Sequence, residues 1–145
     1  MTRVEGVRSE AAILVGVLLP DRDFQEDPLE ELAGLARTVG ARVEAQLVQR
    51  REVPDRATYL GKGKLESLKL LVEQSEADVV LFDNDLSPGQ TRNLEKTLRV
   101  KVIDRTELIL DIFAHRAQTT EARLAVELAQ LEYSLPRLKQ MWTHL

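Results

Sequence analysis

A chain of 145 residues with 43% hydrophobic and 30% charged content is long enough for one ordinary globular core and lies outside the disordered and membrane classes. It has no cysteine, which excludes disulfides and the common zinc frameworks, and His115 and His144 stand without metal-ligand spacing. A net charge of −4 argues against a globally basic nucleic-acid grip, and with no apolar leader and no apolar run near the ~18 residues of a membrane span, a soluble, cytoplasmic protein is expected.

After a polar leader, AAILVGVLL (11–19) is a near-continuous apolar run rich in branched residues, which suits a strand covered on both faces and ended by Pro20. DPLEELAGLARTVG follows, with Asp27 as the expected N-cap, Pro28 at the first helical position and Glu30 at the third. Leu32, Leu35, Ala36 and Val39 form one face of this helix, and Gly40 is placed to end it. ARVEAQLVQRR alternates, with Val43, Ala45 and Leu47 on one side and Arg42, Glu44 and Gln46 on the other, as an edge strand with one wet face does.

VPDRATYLGKGK reads as a loop opening into the helix KLESLKLLVEQSE, with Leu65, Leu68 and Val72 inward. ADVVLFDND is a short strand, and SPGQTRNLEKTLR begins with a capping box of Ser87 and Gln90 around Pro88. VKVID is the fourth strand, ending at Asp104. Alternation with short connections predicts an α/β layer domain over residues 1–105, a small, mostly parallel four-stranded sheet flanked by helices.

Residues 106–145 form a helical subdomain. TELILDIFAHRA, capped by Thr106, is expected to be a buried helix through Leu108, Ile109, Leu110, Ile112 and Phe113. Thr119 or Thr120 with Glu121 starts a long projecting helix. Along it Leu124, Leu128, Leu131, Leu135, Leu138, Trp142 and Leu145 recur at alternating spacings of four and three, the a/d repeat of a coiled-coil seam. Such a stripe requires a partner helix, from a second copy or from a longer chain of which this is a part. Pro136 removes a backbone hydrogen bond, at roughly 3 kcal/mol in an ordinary interior, and predicts a bend near residues 132–136 rather than a stop.

Chemistry is sparse. Leu60-Gly61-Lys62-Gly63-Lys64 precedes a helix, so its N–H groups and two ammonium groups can hold a phosphate or an RNA backbone; the competing reading is a solvated turn. The patterns GxxxxGK[ST] and GxGxxG are absent. Asp83 and Asp85 follow the third strand and Asp104 ends the fourth, where parallel folds bind ligands, so they are the weak candidates for a Mg²⁺ and phosphoryl site of receiver type. Capping and loop chemistry explains the same acids, and no lysine stands at a strand end to clamp a phosphoryl oxygen. No serine–histidine–acid arrangement is present. From residue 133 onward the only charges are Arg137 and Lys139, which gives an acidic body and a basic helix end.

Four stretches, ATYLGKGKLESL (57–68), FDNDLSPGQTRNLEK (82–96), VIDRTELILDIFAHRAQTTEARLAVELAQLEYSLPRL (102–138) and the final KQMWTHL, make the sequence similar to the N-terminal domain of HflX-type ribosome-associated GTPases. Members usually carry a glutamate where Asn84 or Asp85 stands. The resemblance implies that the seam helix is the first half of an antiparallel arm. It turns at a glycine-rich loop beyond this chain, and a GTPase domain using GTP and Mg²⁺ follows. It implies binding to the rRNA of the large ribosomal subunit, separation or rescue of stalled ribosomes, and a link of the N-terminal domain to adenine nucleotides. Arg137, Lys139 and His144 then become rRNA phosphate contacts, Lys62 and Lys64 rRNA or nucleotide contacts, and Trp142 a packing or base-stacking residue. No cofactor and no catalysis are expected of this piece alone. The alternatives are a receiver-like or phosphate-binding α/β domain and a dimerisation module. Exposed as a fragment, the seam also invites self-association without biological meaning.

Overall fold

The computed structural model describes residues 3–21 and 27–142, with the side chains of Glu5 and of residues 138–142 left out. Strands β1 (Ala11–Leu18), β2 (Arg42–Arg50), β3 (Val79–Phe82) and β4 (Lys101–Asp104) form one sheet in the order β2-β1-β3-β4, every pair parallel. Helices α1 (Glu30–Thr38), α2 (Lys62–Ser75) and α3 (Pro88–Leu98) connect them, and α4 (Arg105–Arg116) and α5 (Thr120–Trp142) follow.

The apolar run of β1 places it at the centre, where both of its faces are covered. Ala12 and Leu14 pack in a cluster with Leu32 and Ala36 of α1 and Leu108 of α4. Ile13, Val15 and Val17 face the opposite cluster, with Leu68 and Val72 of α2 and Leu94 and Leu98 of α3. The first connection runs one way across the sheet and the next two run the other way, so the topological switch lies between β1 and β3.

β2 is an edge strand, as its alternation implies, but the alternation breaks. Ala12 pairs with Val43 and Ile13 with Ala45, so Glu44 is an extra residue. One inserted residue turns every later side chain to the other face. Val43 therefore packs on the α1 side of the sheet, while Ala45 and Leu47 pack on the α2 side. The other edge is closed by side chains: Val102 N–H donates to Glu95 at 3.0 Å and Arg3 donates to the Val102 carbonyl.

Two expected caps are replaced. α1 starts at Glu30 without a side-chain cap, and the Asp27 carbonyl accepts from the Glu30 N–H at 3.3 Å. What fixes the entry is Leu29, fully buried against Gly16, where an added Cβ would lie 2.6 Å from Leu29 Cδ2. α4 is capped by Asp104, not Thr106, through Oδ1 and the Glu107 N–H at 3.0 Å. Helix α4 is also less buried than expected: Leu108, Asp111 and Ile112 are inside, while Phe113 is 53% exposed, because only one face meets the sheet. The capping box of α3 is present in both directions, Ser87 Oγ accepting from Gln90 N–H and Gln90 Oε1 from Ser87 N–H.

Helix α5 begins after Thr119, whose hydroxyl accepts from Ala122 N–H, and runs through Pro136. It lies against α3 and α4 with half-buried Ala129, Tyr133, Ser134 and Arg137. Leu124, Leu128 and Leu135 are 58–59% exposed on the opposite side, and Leu131, 55% exposed, lies at the edge of that stripe toward α4. Among the described residues no helix is long and apolar enough to cross a membrane.

Candidate functional site

The loop after β3 connects five elements. Asp83 N–H extends the ladder to Val15, and its buried carboxylate accepts from Arg105 at 2.8 Å, which also pairs with Glu31 of α1. Asn84 sits at the switch point and behaves as a piece of strand: Val17 N–H donates to its Oδ1 at 2.8 Å and its Nδ2 donates to the Val17 carbonyl at 2.9 Å. The Tyr59 phenol is raised above its ordinary range, first by burial and then by Asp85 and Asp21. Asp85 accepts from Thr106 at 2.6 Å.

Leu86 is held through both main-chain groups. Its N–H donates to Asp104 Oδ2 at 3.0 Å, and its carbonyl accepts from Arg137. The same Asp104 carboxylate, almost fully buried, caps α4, accepts from the Tyr133 hydroxyl and lies 3.5 Å from Arg137 Nη2. The Arg137 guanidinium stacks 3.5 Å from the Tyr133 ring centroid and donates to the Tyr133 carbonyl at 2.8 Å. Burial, reinforced by the Asp104 carboxylate, holds the Tyr133 phenol far above its ordinary range, so it stays a donor.

This arrangement uses the acids read as metal candidates. Asp83 and Asp104 are engaged by guanidinium, hydroxyl and N–H donors, and among the described residues no group of three or more acids or histidines is set to hold a metal. Arg137 is turned inward with its side chain 13% exposed. The side chains of Lys139, Leu138 and Trp142 are outside the described set, and His144 and Leu145 lie outside the described residues.

Lys62 and Lys64 occupy the first turn of α2 rather than a turn before it, with Gly61 as N-cap. Gln49 Oε1 accepts from Gly61 N–H at 2.9 Å, and a Cβ on Gly61 would lie 2.6 Å from Arg51 Nη1, so the guanidinium packs over this glycine. With no acid in the first turn and no side-chain cap, the helix end and three cations make a positive surface. The adjoining loop is braced: Asp55 accepts from Ala57 and Thr58 N–H groups, which hold its carboxyl below the usual range, while Gln90 and Asn93 donate to the Asp55 and Ala57 carbonyls.

A groove of about 350 Å³ separates α4 from α5, lined by Val4, Leu110 and Leu131 with Arg3, Glu107 and Glu127. Glu107 is raised above the usual carboxyl range by burial, against the lowering effect of Arg3 at 3.5 Å.

Sequence reasoning passed over Asn84, Tyr59, Arg105 and Tyr133. Only Tyr133 carried a signal, standing four residues before Arg137 at the spacing that brings side chains together on a helix.

Residues 26–114 match the family described as GTP-binding GTPase N-terminal, and residues 116–145 match GTP-binding GTPase Middle Region. The GTPase HflX of Caldanaerobacter subterraneus subsp. tengcongensis is 51% identical over 129 residues, 89% of this chain and 30% of that protein. The GTPase HflX of Flavobacterium psychrophilum is 42% identical over 147 residues, 100% of this chain and 36% of that protein. A GTP-binding protein from Sulfolobus solfataricus, solved in complex with GDP, has a TM-score of 0.61 at 26% identity, covering 92% of this chain and 40% of that one. The chain spans about a third of the length of the curated relatives it matches. With more than half of its length matching the GTP-binding GTPase N-terminal family and residues 116–145 its middle region, the chain belongs to the HflX family of GTPases.

Proposed function

We propose that this chain is the ribosome-docking N-terminal domain of an HflX-type GTPase, acting in the cytoplasm. It binds the large ribosomal subunit and helps split or rescue ribosomes. GTP is hydrolysed with Mg²⁺ in a domain downstream, and this domain does not catalyse by itself. The observation that carries the reading is α5: one face is anchored to an α/β body while Leu124, Leu128 and Leu135 point away from it and Leu131 borders them. An apolar stripe of that spacing is suited to the second helix of an arm, supplied by the longer protein. Lys62 and Lys64, on an uncapped helix end, are the rRNA phosphate contacts of the body, and Lys139 and His144 those of the arm.

Co-sedimentation tests this. A protein extended through the arm and GTPase domain is expected to pellet with large subunits, and failure to pellet at low salt removes the assignment. A second reading, a dimerisation module, is favoured by the same exposed leucines; light scattering that gives only monomer at high concentration removes it. The receiver-like reading has less support, since the acids it needs already have protein partners.

A further inference from the structure

We infer that Tyr133, Arg137 and Asp104 form a catch across a built-in hinge at Pro136, so that the end of α5 can leave the body as a unit while the sheet stays intact.

The hinge comes from covalent chemistry. Pro136 has no N–H, so the Glu132 carbonyl lacks its intrahelical donor, and the proline ring crowds the same carbonyl. The helix is therefore weakest between residues 132 and 136. An ordinary helix compensates for such a defect by burying an apolar face. Here the apolar stripe points outward, and the face toward the body offers small or polar side chains such as Ala129 and Ser134. Among the described side chains of this segment, which end at Arg137, little aliphatic surface is buried.

What does secure it spans the weak point. Tyr133 lies before Pro136 and donates to Asp104; Arg137 lies after it and binds the Leu86 carbonyl, with Asp104 at 3.5 Å. Arg137 also donates to the Tyr133 carbonyl at 2.8 Å and stacks on the Tyr133 ring, tying the two sides of the proline to each other. All of the body's contributions are fixed in place: Asp104 ends β4 and caps α4, and Leu86 belongs to the loop whose Asn84 grips β1. The catch thus consists of a few charge-assisted hydrogen bonds on a rigid seat. Such bonds are lost together when one partner goes. The inference stands on this geometry whether or not the arm meets rRNA.

Amide hydrogen exchange on the chain tests it. Arg137→Ala, and independently Tyr133→Phe, are expected to speed exchange over residues 131–142 by about tenfold or more while β1 and β3 stay as protected as in the parent. Adding Pro136→Ala to Arg137→Ala is expected to restore much of the protection, because a continuous helix no longer needs the catch. Unchanged exchange at 131–142 in both single variants overturns the catch. Equal loosening of β1 and β3 overturns it too, since the residues then hold the fold in general. If Pro136→Ala restores nothing, the hinge is refuted.

Discussion

The Tyr133 hydroxyl donates to the Asp104 carboxylate, which joins the long helix to the end of the last strand. Because that carboxylate also receives the Leu86 and Glu107 N–H groups, one side chain sets the positions of a loop and two helices. Asp104→Asn puts an amide NH₂ among donors and leaves Arg137 without its carboxylate. A loss of about 2–4 kcal/mol is expected by urea unfolding.

Asn84 replaces a strand at the switch point and needs both ends of its amide. Asn84→Asp converts the donor facing the Val17 carbonyl into an acceptor, and about 1–3 kcal/mol of stability should be lost.

Gly16 is required by Leu29, not by its own backbone. Gly16→Ala is expected to cost about 1–3 kcal/mol by overpacking, and Leu29→Val in the same chain should recover part of it. A neutral Gly16→Ala would show that Leu29 moves aside freely.

The chain has two tyrosines, Tyr59 and Tyr133, and both phenols are raised in the fold. For an acid with a raised folded pKa, the native state keeps the proton that the unfolded state gives up. Stability is therefore lost as pH rises above the ordinary tyrosine value of 10.0. Tyrosinate absorbance of the native protein is expected to lag behind that of the urea-unfolded chain, and Tyr133→Phe should flatten the alkaline fall in stability. Glu107 follows the same sign at lower pH. Its raised carboxyl costs stability as pH climbs through and above its ordinary 4.5, so Glu107→Gln gains on the parent as pH rises from acid to neutral.

Lys62 and Lys64 place positive charge at the positive end of a helix dipole. Lys62→Glu with Lys64→Glu is expected to raise stability slightly, by about 0.3–1 kcal/mol, while weakening ribosome binding and lowering its salt dependence. That opposition separates a binding role from a structural one.

The features legible in the sequence are those decided locally. The unbroken apolar run of β1 and the Ser87–Gln90 capping box each follow from periodicity or cap chemistry, and the fold bears them out. What stayed hidden depends on tertiary neighbours. A single extra residue at Glu44 leaves the alternation of β2 looking intact. Asp104 and Thr106 are both competent caps, and the choice falls to the one already held by Leu86 and Tyr133. Arg137 has the charge of a phosphate contact, yet a carbonyl 51 residues away turns it inward.

Footprinting of large-subunit rRNA tests the ribosome-docking claim most directly. With the protein extended through its GTPase domain, the account predicts protected rRNA nucleotides, with a subset lost when Lys62 and Lys64 are both replaced by glutamate. An rRNA pattern identical with and without saturating protein at low salt would contradict it.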